Sequence, residues 1–188
     1  DQEELEEDDF EDIKSSISTI INRSDHLQFF VENYRKLAML PTPNKQMTPI
    51  NALFEDCLRI MSPILKEEGI ELINEVHSPR SILIDKNQME QVIINLITNS
   101  IHALKEKVEK KLIISSYTEN NRFFIVISDN GKGVDAEIRD KVFLPFFTTR
   151  KDGAGIGLTL SKNIIEAHGG YLSYQTDEDQ TSFVICLI

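Results

Sequence analysis

The chain has eight glycines in 188 residues, and five of them fall between Asp129 and Leu158. The first cluster is headed by an acid, Asp129-Asn-Gly-Lys-Gly133, and follows an apolar run at 124–128. The second, Gly153-Ala-Gly-Ile-Gly-Leu158, opens a helical apolar pattern. Between them lies Phe143-Leu-Pro-Phe-Phe-Thr-Thr149. Glycine permits φ > 0 and close approach of backbone to a flat or charged group. Two such clusters a lid's length apart describe a pocket with two backbone-lined ends, and the rest of the chain reads as its scaffold.

The scaffold pattern is mixed. Residues 10–40 read as one helix with Ile13, Ile17, Ile20, Ser24, Leu27, Val31, Tyr34 and Ala38 in alternating steps of four and three, a heptad seam. Pro41 and Pro43 stop it. Such a seam is not buried by one helix alone; it calls for a second helix, in cis or from another copy, the plain alternative being packing against the domain that follows. Residues 41–48 read as a linker, and Thr48-Pro49 as the cap and first position of a helix that Gly69 ends. Residues 71–76 and 81–85 read as short strands. The spacing of Met89, Val92, Ile93, Leu96, Ile97, Ser100, Ile101 and Leu104 predicts a helix over 86–107. Strands follow at 112–117 and 123–128 around an Asn120-Asn121 turn. A short helix is expected at 136–142, a longer one at 156–168, and a closing hairpin at 171–175 and 182–188. The class is α/β: a two-layer sandwich with helices on one face of a mixed, largely antiparallel sheet, preceded by the long helix.

Charge excludes one class of partner. The net charge is −11, and nine acids without a base crowd into residues 1–12, leaving −2 over the remainder. No basic stripe offers itself to nucleic acid. Cys57 and Cys186 sit in apolar patterns and read as buried thiols of a reducing compartment. No stretch has the length and apolarity of a membrane span. The chain does not begin with methionine and reads as a piece of a longer protein.

Three features carry chemistry. Asn95 and Asn99 lie at i and i+4 on an otherwise apolar helix, so they need partners or a solvated pocket. A carboxamide oxygen is a hard, neutral ligand suited to Mg²⁺. The plain alternative is bonding to neighbouring backbone. Asp129, at a strand's end, can accept from an exocyclic amine such as that of adenine, although Asp-Asn-Gly is also ordinary turn chemistry. The 153–158 cluster opens a helix, which offers unpaired N–H groups to anions, with Arg150 and Lys151 just before it. No strand leads straight into it, so it is not a dinucleotide-binding turn, and it lacks the Gly-Lys-Ser/Thr of a P-loop.

Taken in order, Asn95-Leu-Ile-Thr-Asn99, Asp129-Asn-Gly-Lys-Gly133, Phe143-Leu-Pro-Phe-Phe147 and Gly153-Ala-Gly-Ile-Gly-Leu158 resemble the N, G1, F and G2 boxes of sensor histidine kinases. These kinases share an ATPase fold with gyrase-type topoisomerases, mismatch-repair ATPases and the ninety-kilodalton heat-shock chaperones. The resemblance covers residues 48–188 and implies ATP and Mg²⁺ as cofactors. It implies that Asp129 binds the adenine amine, that Gly131 and Gly133 shape the adenine slot, and that Thr181 lies near the base. The family usually has glycine before that threonine, where this chain has Gln180. Asn99, with Asn95 beside it, would hold Mg²⁺ and phosphate, and His102 would contact phosphate. Phe143, Phe146, Thr149, Arg150 and Lys151 would belong to the lid, and Gly153, Gly155, Ile156, Gly157 and Leu158 would cover the phosphates.

Hydrolytic members carry Glu where this chain has Asn95. A carboxamide is no general base, which favours γ-phosphoryl transfer over hydrolysis. In the family the acceptor is a histidine on the first helix of a dimerisation hairpin, followed by an acid and then a proline. His26, His77, His102 and His168 lack that context, so the phosphoacceptor is expected outside this chain. Residues 1–40 then match the acidic start and second helix of that hairpin, 41–48 the linker and 49–188 the catalytic domain. The stretch at 29–41 looks like that of nitrogen-regulation-type sensors. The implied partners are a response-regulator receiver domain and the protein's own dimerisation helices in a homodimer, without nucleic acid. The implied place is the cytoplasm, with any anchor in the bacterial inner membrane lying outside this chain. Two alternatives stay open: an anti-sigma-type serine kinase of the same fold, against which the long helix speaks, and a nucleotide-gated binding module without transfer.

Overall fold

The computed structural model describes residues 7–150, 153–176 and 179–188, with the side chains of residues 7–9 and 26 excepted. Its elements run α1 (Glu7–Ala38), β1 (Gln46–Pro49), α2 (Ile50–Glu67), β2 (Glu71–Glu75), β3 (Ser81–Ile84), α3 (Lys86–Ala103), β4 (Lys111–Glu119), β5 (Arg122–Asp129), a 3₁₀ turn (Ala136–Lys141), α4 (Gly157–Ala167), β6 (Tyr171–Thr176) and β7 (Thr181–Leu187). The chain divides into two compact units, 1–39 and 40–188.

In the first unit, α1 is a single helix of 32 residues without an interior glycine or proline. Its seam is open: Ile13, Ile17, Ile20, Leu27, Val31 and Tyr34 are all exposed.

The second unit is built on a five-stranded sheet in the order β2-β4-β5-β7-β6. β2 runs parallel to β4, and the other pairs are antiparallel. The Asn120-Asn121 turn joins β4 to β5 with both residues at positive φ (48° and 61°), which matches a two-residue hairpin turn to the strand twist. Strand alternation sends Leu112 and Ile114 of β4, Ile125 and Ile127 of β5, and Phe183 and Ile185 of β7 to one buried face. Helices α2, α3 and α4 touch β2, β5 and β6 respectively, and α3 touches both of the other helices. α3 is the central element, with Met89, Val92, Ile93, Leu96, Ile97 and Ser100 all buried, and Leu104 buried just past its end. Asp85 caps it by accepting from the Gln88 N–H (3.1 Å) and also takes the Asn44 N–H (2.9 Å). The α/β sandwich with a mixed, largely antiparallel sheet is as expected.

Two local expectations are corrected. Part of the 41–48 linker is strand: Gln46–Pro49 pairs antiparallel with Ser81–Ile84. Thr48 is therefore not the cap of α2; its hydroxyl donates to the Gln46 carbonyl, and Pro49 holds the cap position without a side-chain bond. A four-residue edge strand that ends in proline has almost no pattern of its own and exists through its partner. The helix expected over 86–107 stops at Ala103. There the Ala103 carbonyl takes the Lys132 N–H (3.2 Å), and Gly131 packs on Ala103, so the first glycine loop crosses the helix end.

Candidate functional site

The register of β5 and β7 places Asp129 directly opposite Thr181 at the end of the buried face. Asp129 is 2% exposed. Its Oδ2 accepts from the Ser100 hydroxyl (2.7 Å) and its Oδ1 from the Gly131 N–H (3.0 Å). Burial raises its pKa above the usual carboxylate value, and the two hydrogen bonds oppose that rise. A carboxylate has about four lone-pair sites, so two bonds leave room for a further donor. The Thr181 hydroxyl bonds that of Thr176 (3.0 Å). Gly133, at φ +76°, sits over this pair: an added Cβ would lie 3.2 Å from the Thr176 oxygen and 3.8 Å from that of Thr181. Gly131 is close-packed against Asp129 and Ala103.

Next to this polar end lies a cavity of about 380 Å³, within the range of small-ligand pockets. Gly133, Val134 and Ile138 form one wall, Asn95 and Asn99 another, and the segments 147–150 and 153–158 a third. Lys132 and Arg150 bring positive charge to it and Asp135 negative. The N-terminus of α4 opens on the cavity at Gly157 with no side-chain cap, leaving N–H groups for an anion. Gly155 (φ +66°) is pressed on the Phe146–Phe147 peptide so closely that a Cβ would collide with it. Phe146 is itself at φ +62°, so the two loops meet back to back in left-handed conformations.

Asn95 and Asn99 stand one turn apart on α3, both facing the cavity. The Asn95 amide donates to Ser161 of α4 (2.9 Å), and its oxygen lies where a Gly157 Cβ would be. These are neutral oxygen donors of the sort Mg²⁺ accepts. Among the described residues no three His, Cys, Asp or Glu side chains converge as a metal site. A cation held here would therefore complete its shell from phosphate and water. His102 does not line the cavity. Burial first, then the Arg150 and Lys105 charges, lowers its pKa against the pull of Glu68. It is thus biased toward the neutral imidazole.

Of the residues marked in the sequence, Asn95, Asn99, Gly133, Thr149, Arg150, Gly153, Gly155, Ile156, Gly157 and Leu158 come together around the cavity. Asp129, Gly131 and Thr181 form the cluster behind Gly133 rather than the lining itself. Phe143 anchors the lid segment from below: its carbonyl accepts from Thr159 (3.0 Å) and its ring meets Tyr174 at 6.0 Å. Phe146, like Phe143, is absent from the lining. Lys151 lies outside the described residues. Sequence reasoning missed Lys132, Val134, Asp135, Ile138, Val142, Phe147, Thr148 and Ala154 in the walls, and Ser100, Ser161 and Thr176 behind them. Ser100 had a signal, a lone hydroxyl in an apolar stripe; the others have none without the fold.

A two-layer sandwich with a buried acid at a strand end, paired asparagines on the central helix and a glycine-rich lid running into an uncapped helix defines an ATP-binding class of domain. The chain belongs to that family, described as "Histidine kinase-, DNA gyrase B-, and HSP90-like ATPase", which residues 84–188 match. It is 29% identical over 182 residues to the sensor protein TdiS of Thauera aromatica, covering 94% of this chain and 33% of TdiS. It thus spans about a third of that relative's length. The solved, nucleotide-free catalytic domain of histidine kinase ThkA is 25% identical with a TM-score of 0.70, covering 77% of this chain and 95% of that one. ThkA in complex with response regulator protein TrrA shares the fold at 23% identity and TM-score 0.73, over 93% of this chain and 51% of that one. Among the described residues no helix is long and apolar enough to cross a membrane.

Proposed function

We propose that this chain is the ATP-binding catalytic part of a two-component sensor histidine kinase, with the second dimerisation helix attached. The observation that carries this reading is the pairing, in one unit, of a buried Asp129–Thr181 base end with a cavity whose far side is the open N-terminus of α4. Asp129 accepts the adenine amine. Gly133 lets the ring lie against the Thr176–Thr181 pair. The free N–H groups at Gly157 and Leu158, with Arg150 and Lys132, hold the phosphates.

The oxygens of Asn95 and Asn99 would hold Mg²⁺ at the phosphate end of the cavity, where it would supply positive charge against the negative charge developing on the transferred group. His102 stands outside the cavity lining, and only the family resemblance would bring its imidazole, biased neutral, to the phosphates as a hydrogen-bond donor. Because Asn95 cannot serve as general base, the γ-phosphoryl goes to a histidine outside this chain. From there it passes to an aspartate of a response-regulator receiver domain, the kind of partner named for ThkA. The open seam of α1 fits pairing within the helices of a homodimer.

Two measurements test the reading. Asp129→Asn should lower adenine nucleotide affinity by about tenfold to about 150-fold, the equivalent of about 1.5–3 kcal/mol for a bond to a charged group. Its melting temperature should hold or rise. Unchanged affinity sinks the site assignment. Mg²⁺-dependent phosphorylation, in trans, of a supplied histidine-helix fragment should appear. Tight ATP binding with no phosphohistidine on any matching hairpin would point instead to a binding module.

A further inference from the structure

Asn95 is held by α4 at two points. Gly157 and Ser161 are one turn apart and so share a face of that helix. The Ser161 hydroxyl, 2% exposed, takes the Asn95 Nδ2–H at 2.9 Å. One turn earlier, the missing side chain of Gly157 leaves the space that the Asn95 oxygen occupies. The carboxamide therefore lies along α4 with its nitrogen tied to Ser161 and its oxygen against Gly157 at the helix N-terminus, where both Asn95 and Gly157 line the cavity. A carboxamide without such a tie can turn over and present a donor where an acceptor is needed. Asn99 has no comparable hold: its side chain makes no hydrogen bond to another described residue.

We infer that Ser161 is a positioning residue: it fixes the Asn95 carboxamide so that its oxygen, not its nitrogen, is the end offered to a cation held with the nucleotide phosphates. This rests on the Mg·ATP reading of the site. The chemical need is simple. A cation accepts only the oxygen end of an amide, and an N–H₂ pointed at it repels both the metal and its water. Groups that orient a ligand in this way typically matter by tenfold or more in metal affinity. Ser161 touches neither nucleotide nor metal. Its effect passes wholly through Asn95, and it couples the seating of α4, which carries the phosphate-binding turn, to the state of the metal ligand on α3.

The test is to titrate the full chain with a fluorescent ATP analogue, in MgCl₂ and in EDTA. Wild type, Ser161→Ala, Ser161→Cys, Asn95→Ala and the Ser161→Ala/Asn95→Ala double variant are compared. In Ser161→Ala and Ser161→Cys the gain in affinity conferred by Mg²⁺ should drop by about tenfold. Affinity in EDTA should stay within about twofold of wild type, and that value also reports an intact fold. In the Asn95→Ala background, removing the hydroxyl should change nothing further. An undiminished Mg²⁺ gain in both Ser161 variants overturns the proposal. So does an equal loss of affinity with and without Mg²⁺, which marks a packing role only, and so does an additive double variant. If wild type shows no nucleotide binding, or Asp129→Asn binds as well as wild type, the failure belongs to the nucleotide reading.

Discussion

Asp129 carries a charge where packing favours none. Desolvation raises its pKa, so its ionised form is a cost to the folded state that the Ser100 and Gly131 hydrogen bonds only offset. A carboxyl whose folded-state pKa exceeds its unfolded value costs stability above the folded pKa, and acidification through that value relieves the cost. Ligand binding goes the other way, because an adenine amine needs the ionised acceptor. Nucleotide affinity should therefore start to fall, on lowering the pH, at a value above the ordinary carboxylate pKa of about 3.9. The Asp129→Asn variant should lack that limb. Titrations across the acid range check this, and an identical profile in the variant would remove Asp129 from the binding step. Cys57 shows the contrasting case: burial, then the nearby Glu90 and Asp56 charges, pushes its thiol up to about 12. It stays an inert core thiol at any ordinary pH.

At the scale of elements, α3 decides the site, since Asn95 and Asn99 ride on it and Ser100 reaches back to Asp129. Its start is set by Asp85, whose own N–H also donates to His168 Nε2 (3.0 Å) and so meets the end of α4. Asp85→Ala should cost about 1 kcal/mol of stability, the usual loss of an aspartate cap. Burial acts to raise the Asp85 pKa, but hydrogen bonds from Gln88, Asn44 and Asn87 outweigh it and the net shift is downward. Its contribution is therefore present above the unfolded value near 3.9 and lost as pH falls through the lower folded value. Denaturant melts of wild type and variant should converge in that acid range; a gap unchanged at low pH would deny the cap its charge. α4 is the second deciding element. An alanine at Gly157 would place its Cβ on the Asn95 oxygen, so Gly157→Ala should weaken Mg²⁺-dependent nucleotide binding well beyond the small helix-propensity gain it brings. Retained affinity in that variant would mean that α4 can shift away from α3 freely.

The whole molecule is two units with different ways of being stable. The unit 40–188 has a closed core on α3 and the buried sheet face. Residues 40–188 alone should unfold cooperatively and bind nucleotide with the affinity of the full chain; loss of either would show that α1 is part of the ATP site's support. Among its described residues the α1 unit shows no such core. Its seam of isoleucines and Leu27 should drive concentration-dependent association of the full chain, absent from residues 40–188. Sedimentation over a range of concentrations reads this directly.

What the sequence alone determines is whatever depends on local periodicity and on residue chemistry. The apolar steps of α3 mark the central helix, the heptads of α1 mark an unfinished coil, and Asn120-Asn121 marks a hairpin. The order of Asn95, Asn99, Asp129 and the glycine clusters marks the pocket. Tertiary structure alone decides what depends on register and crossing. It makes Gln46–Pro49 a strand because Ser81–Ile84 lies beside it. It ends α3 at Ala103 because the Lys132 amide takes the carbonyl there. It sets Thr181 opposite Asp129, and Ser161 against Asn95, across 52 and 66 residues of chain. The physical reason is one of range. Periodicity reports which face of an element is buried, but the partner that satisfies a buried polar group is chosen by the packing of elements far apart in sequence.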